Sequence, residues 1–117
     1  VGLLKNPYPL FCRSNVVIAT SETEGRSHTI LESMACKTPV VTTQYPGIEE
    51  CIIHEKTGLI SSKNNSADLS NQVRNMLSSK SLSRGITQRA ARFVKRFDSK
   101  KVVKYYQKIL IACLDNQ

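Results

Sequence analysis

The chain has 117 residues, 40% of them hydrophobic, and a formal net charge of +8 from 17 basic and nine acidic side chains. No run approaches the ~20 consecutive apolar residues that a membrane-crossing helix needs, and Cys12, Cys36, Cys51 and Cys113 form neither a CxxC pair nor a metal-ligand spacing. The charge is lopsided: residues 1–60 hold five bases and six acids, residues 61–117 twelve bases and three acids, so the front half does not bind its ligand through a bulk cationic patch.

The chain opens Val1-Gly2-Leu3-Leu4, with neither an initiator Met nor the basic and apolar sections of a signal peptide. It reads as a segment of a longer protein. The cysteines read as reduced, buried thiols of a cytoplasmic protein. Residues 15–20 and 39–43 are β-branched apolar runs without alternation, the pattern of buried parallel strands. Between them, Ile30, Leu31, Met34 and Ala35 mark one apolar stripe of a helix over residues 28–36. Strand, helix and strand in that order make a βαβ unit. A further short strand is expected at residues 57–60, then a polar loop at 61–66.

From there the pattern is helical. Leu69, Val73, Met76 and Leu77 form one stripe, with Ser66 placed to cap it. Ile86, Ala90, Phe93, Val94 and Phe97 form a second; Val102, Tyr106, Ile109, Leu110 and Cys113 form a third, starting at Asp98 or Ser99. The fold class is α/β: a partial, Rossmann-like parallel sheet followed by amphipathic helices. Three short strands are few for a sheet that helices cover on both faces, so further strands are expected upstream.

The chemistry concentrates between residues 21 and 35. The chain leaves a strand's carboxyl end, turns through Gly25 and enters a helix near Ser27 or His28, which is where open α/β sheets bind ligands. Unpaired amides and the helix dipole suit a phosphate there without any lysine, and Gly25 lets backbone approach the ligand closely. Glu24 and Glu32 would repel a phosphate but suit sugar hydroxyls beside it. Glu32 has a second reading, a capping box with Thr29. His28 suits a polar contact better than a proton shuttle, Arg26 is either solvated or near the phosphates, and His54 reads as a surface residue.

The ordered run Glu24-x7-Glu32, Leu31-Glu32-Ser33-Met34-Ala35, Thr38-Pro39-Val40-Val41, Pro46-Gly47-Ile48-Glu49-Glu50 and Thr57-Gly58-Leu59-Ile60, closed by Phe97-Asp98-Ser99 and Tyr105-Tyr106, resembles the donor site of GT-B-fold retaining glycosyltransferases of the family 4, or group 1, type. The resemblance runs from about residue 15 to 106. It implies that residues 1–117 are the second half of a nucleotide-sugar-binding domain, with a βαβ portion at about 15–60 and C-terminal helices at about 66–115. The upstream strands, the basic pair that neutralises the leaving diphosphate and the acceptor-binding N-terminal domain would lie outside it.

By the same resemblance, Glu24 and Gly25 meet the donor sugar, the backbone of Arg26, Ser27 and His28 meets the diphosphate and sugar, Glu32 holds the ribose, and Gly47 shapes the donor loop. No catalytic residue, metal or cofactor is implied in this segment. Lys37 stands where the family commonly has Gly, and Arg26-Ser27-His28 replaces a frequent Phe-Gly-Leu. The implied substrates are a UDP-, GDP- or ADP-sugar and a saccharide or lipid-linked acceptor, in polysaccharide biosynthesis. Two further readings stand beside this one: a non-catalytic nucleotide-sugar-binding module that needs a partner, and a nucleic-acid binder. The last is disfavoured because the bases are not interleaved with aromatics. Arg84, Arg89, Arg92, Lys95, Arg96, Lys100, Lys101, Lys104 and Lys108 read as a solvated helical face or a peripheral contact with an anionic, cytoplasmic membrane face.

Overall fold

A computed structural model describes residues 4–101, together with 103 and 107. Its elements, in order, are α1 (Tyr8–Arg13), β1 (Val17–Ala19), α2 (His28–Ala35), β2 (Val40–Thr43), a 3-10 turn (Ile48–Glu50), β3 (Leu59–Ser61), α3 (Ser66–Ser78), α4 (Lys80–Phe93) and a 3-10 segment (Val94–Phe97). The strands form one parallel sheet in the order β1-β2-β3, with Val17 opposite Val40 and Val41 opposite Leu59. The class expected from the sequence is the one found.

The central strand sets the packing. Its side chains alternate between faces, so Val40 and Val41, both fully buried, enter different cores. Val40 joins Ile30, Leu31 and Met34 of α2, with Tyr45, Ile48 and Ile52. Val41 joins Leu59, Met76 of α3 and Ile86 of α4. Helix α4 takes part in both, placing Ile86 in one core and Ala90 in the other. Arg89 on the same helix donates from Nε to the Lys56 carbonyl at 2.8 Å and from Nη2 to that of Glu55. Exposed as expected, it also latches α4 to the turn before β3.

Several expectations need correction. Strand β1 is only half-buried and Ile18 is 47% exposed, because α3 covers β2 and β3 and does not reach that position. Ala35 is exposed at the end of the α2 stripe. Helix α3 is capped by Asn65, not Ser66: the Asn65 Oδ1 accepts the Asp68 amide at 2.9 Å. Asp68 in turn accepts the Ser62 amide and hydroxyl, which hold its carboxyl below the usual range. The second apolar stripe tightens into a 3-10 turn at Val94, while its helix begins earlier, at Lys80, capped by Ser79. Cys51 is buried, but Cys36 is intermediate and Cys12 exposed, all three as free thiols. His54, at the surface as read, accepts the Ile60 amide on Nδ1 at 2.9 Å. Helix α1 was not anticipated. Of the third stripe, Val102, Tyr106, Ile109, Leu110 and Cys113 lie outside the described residues. At its start, Asp98 accepts the Lys100 amide at 2.8 Å.

Two glycines are required for different reasons. Gly47 has φ 89°, a left-handed conformation costly for any residue with a β-carbon. Gly58 is crowded: an added β-carbon would overlap the Ile52 side chain and come within 3.0 Å of the Val40 carbonyl. Gly58→Ala is therefore expected to lower stability by about 1–3 kcal/mol through overpacking, and Gly47→Ala by about 1 kcal/mol through strain. Urea unfolding of the two variants measures both, and equal melting with the unsubstituted chain would refute the packing argument.

Candidate functional site

The βαβ unit delivers the N-terminus of α2 to the carboxyl edge of the sheet. Ser27 occupies the N-cap with extended backbone (φ −69°, ψ 104°), and its side chain makes no capping hydrogen bond. The amides of His28, Thr29 and Ile30 have no partner among the described residues, the first intrahelical bond being Leu31 N–H to the Ser27 carbonyl. No acidic residue sits in the first turn of α2. Open amides and an unopposed dipole make an anion site.

The structure groups the expected residues around this terminus in two sets. In the first, Glu24, Gly25, Arg26 and His28 are exposed around buried Ser27. The Ser21 hydroxyl donates to Glu24 Oε1 at 2.9 Å and steadies the loop. Arg26 lies over the Phe97 ring, 5.2 Å from its centroid, and 4.0 Å from Glu50. Arg26 is thus exposed, as one of its two sequence readings had it, and also rests against the 3-10 segment that follows α4. Gly25 has a negative or extended backbone and open space around it, so only a ligand, not the fold, would require a glycine there. Gly47, one turn further along the edge, starts the 3-10 turn that carries Glu50.

In the second set, Glu32 sits one turn into α2, half-buried, and accepts the Tyr8 hydroxyl of α1 at 3.3 Å. The carboxylate pushes the Tyr8 phenol up. The capping box with Thr29 is not formed, because Ser27 holds the N-cap and Thr29 lies inside the first turn of α2. Helix α1 is also tied down by Thr38, whose hydroxyl donates to the Phe11 carbonyl at 2.7 Å. Tyr8 therefore reaches Glu32 from a fixed element, a contact no local pattern signals across 24 residues.

Tyr45 is the second residue that sequence reasoning missed. It is 1% exposed, yet its hydroxyl has no hydrogen-bond partner among the described residues. Burial pushes the phenol up, and the Glu24 carboxylate and Cys51 add to the shift. The Ser27 hydroxyl is close enough to offset it in part, though outside hydrogen-bond geometry. An unpaired buried hydroxyl is rare enough to need a reason. Next to this set, Thr20, Ser21, Thr43, Gln44, Lys63 and Asn65 line an open polar cleft of about 440 Å³. Its lining includes none of Glu24, Arg26, Glu32 or Gly47.

Comparison with known proteins gives a consistent result. The family described as glycosyl transferases group 1 matches residues 4–93. N-acetyl-alpha-D-glucosaminyl L-malate synthase of Bacillus anthracis is 31% identical over 110 residues, covering 93% of this chain and 29% of that protein. The N-acetylgalactosamine-N,N'-diacetylbacillosaminyl-diphospho-undecaprenol 4-alpha-N-acetylgalactosaminyltransferase of Campylobacter jejuni is 27% identical over 113 residues, 96% of this chain and 31% of that protein. The chain thus spans about three-tenths of the length of these relatives. Among solved structures, Anabaena HepE in complex with UDP-glucose superposes with a TM-score of 0.85 at 23% identity, over 92% of this chain and 30% of the other. That likeness establishes the GT-B fold.

Since the Tyr45 hydroxyl makes no bond that folding needs, Tyr45→Phe is expected to leave the melting temperature unchanged or raise it by up to about 1 kcal/mol of stability. If the hydroxyl serves the Ser27–Glu24 loop in a bound state, the same variant binds nucleotide-sugar several-fold more weakly. Differential scanning calorimetry and titration calorimetry separate the two effects; a destabilised variant with unchanged affinity would make Tyr45 purely structural.

Proposed function

Because the chain belongs to the group 1 glycosyl transferase family, we propose that it supplies the donor-binding wall for retaining transfer of a sugar from a nucleoside diphosphate. The observation that carries this reading is the α2 N-terminus, with free amides at the carboxyl edge of a parallel sheet and carboxylates on both sides. The diphosphate sits on the amides of residues 26–28, Glu24 and Gly25 face the sugar, Glu32 holds the ribose hydroxyls, and the loop starting at Gly47 borders the donor. UDP-glucose bound to the structurally similar Anabaena protein supports a UDP-sugar over the GDP- and ADP-linked alternatives.

In this reading, the bond between the anomeric carbon and the diphosphate oxygen breaks, and the nucleoside diphosphate leaves with the bonding electrons. An acceptor oxygen bonds to the same face of the anomeric carbon and passes its proton to an oxygen of the departing diphosphate. The amides and dipole of α2 stabilise charge that grows on the departing phosphate, an electrostatic contribution that needs no reorganisation during the step. No side chain among the 117 residues is assigned as the catalytic base. The acceptor wall and the bases that balance the diphosphate are proposed to lie in further sequence, in keeping with the relatives' greater length. Their names differ in acceptor, L-malate in one and a diphospho-undecaprenol saccharide in the other, and the two cover this chain almost equally, at 93% and 96%. The acceptor proposed is accordingly the broader class, a saccharide or a lipid-linked group.

Glu32→Gln tests the assignment. The Tyr8 contact is exposed, so its loss should change stability by no more than about 0.5 kcal/mol. Loss of a charged acceptor for two ribose hydroxyls should weaken UDP binding by roughly tenfold or more. Gly25→Ala should likewise leave melting unchanged while reducing affinity. Calorimetry with UDP, GDP and ADP reads both variants; unchanged affinity in Glu32→Gln would remove the ribose role. Retention is read independently, from the anomeric coupling constant of the product formed by the full-length enzyme.

A further inference from the structure

The edge of the sheet opposite the donor site carries a second feature, which the transfer reaction does not use. Two clefts, of about 650 and 560 Å³, share Lys37, Thr87 and Gln88 in their linings and so form one groove. Asn15 and Pro39, which precede β1 and β2, place it at the amino ends of the strands. Lys80, Arg84, Arg92 and Lys95 line it from α4 and the 3-10 segment that follows. They lie four, eight and three residues apart, near multiples of the helical repeat and so on one helical face, over roughly 20 Å. Lys37 enters from the end of α2, held by a left-handed backbone with φ 60°.

Two observations distinguish this stripe from an ordinary solvated face. None of the residues lining either cleft is Asp or Glu, and among the described residues none of the five cations makes an ion pair. The other arginines of the same helical stretch are engaged: Arg89 bonds two carbonyls, and Arg96 stacks on Phe93 and Phe97. The floor between the cations is aliphatic, with Ala35, Ala91 and Val94 in one cleft and Met76 and Leu77 in the other. Leu77 is 52% exposed.

We infer that this groove is a docking surface for an anionic membrane, with lipid phosphates paired to the cations and Leu77 entering the headgroup layer. Charge complementarity sets the sign of the partner, and the aliphatic floor selects its kind. A nucleic acid would want aromatic faces on which to stack, and the nearby Phe93 and Phe97 are occupied by each other and by Arg26 and Arg96. Cations ringing an exposed Leu are the pattern of an interfacial contact. Docking at the amino edge leaves the carboxyl edge open to a water-soluble donor, so surface binding and nucleotide binding are separable.

The test is co-sedimentation of the full chain with vesicles of phosphatidylcholine, alone or with one-third phosphatidylglycerol. Partition is expected only into the anionic vesicles. Each base near such a surface is worth about fivefold, so Arg84→Gln with Arg92→Gln should weaken partition by about thirtyfold. Lys80→Gln with Lys95→Gln should do the same, and serves if the first pair fails to fold. Leu77→Ser should weaken vesicle binding without altering retention on duplex DNA. Absence of binding to anionic vesicles, unchanged partition in both double variants, or retention on DNA at least as tight as on vesicles would overturn the proposal. Nucleotide calorimetry on the same variants should be unchanged, which keeps this result distinct from the fate of the donor-site assignment.

Discussion

Burial of adjacent residues of β2 on opposite faces of the sheet is the constraint on which the rest depends. Val40 and Val41 are both 0% exposed, and a valine buried in this way contributes about 1.5 kcal/mol or more. They face different cores, and α4 contributes to both through Ala90 and Ile86. Val40 demands Ile30 and Met34 from α2, while Val41 demands Met76 from α3 and Ile86 from α4. With α2 pinned by its apolar stripe, its N-terminus has only one place to go, the carboxyl edge. Position of the anion site is thus a consequence of core packing.

The loops at that edge are arranged by contacts remote in sequence. Arg26 is clasped between Glu50 from the second crossover and Phe97 from the end of the helical half. The Glu32 carboxylate meets Tyr8 from the helix before β1. Tyr45, from the loop after β2, lies near Ser27 and Glu24, its hydroxyl without a hydrogen-bond partner among the described residues. These are weak interactions singly, since exposed ion pairs and cation–π contacts are worth about 1 kcal/mol or less. Their effect is to orient, leaving the α2 amides open.

Electrostatic polarity follows the same geometry. Carboxylates and open amides meet at the carboxyl edge, where hydroxyls and a diphosphate can both be accommodated. Cations that make no ion pair among the described residues line the amino edge, and none of the residues lining its clefts is Asp or Glu. The lopsided charge along the chain becomes a separation in space because α4, which carries much of it, runs past the amino ends of the strands. One chain can thereby present two surfaces to different partners without interference between them.

How much of this was legible in the sequence depends on the range of the interaction. Local rules found the βαβ unit, the start of α2 near Ser27 or His28 and the helical stripe of Leu69, Val73 and Met76, though not the exposure of Leu77, because periodicity and turn chemistry act over a few residues. Where two local solutions compete, the sequence could not choose. The cap expected at Ser66 falls one residue earlier, at Asn65, whose Oδ1 accepts the Asp68 amide. Glu32 was able to cap or to bind, and the N-cap at Ser27 removes the first option. Contacts between residues 24 or more apart, Tyr8 with Glu32 and Arg26 with Phe97, carry no sequence signal at all. The same holds for the exposure of Ile18 and for Arg89 latching Lys56, since each depends on where a helix lands on the sheet. Local chemistry determined which segments could form a donor site; only burial on both faces of β2 decided which side chains would meet there.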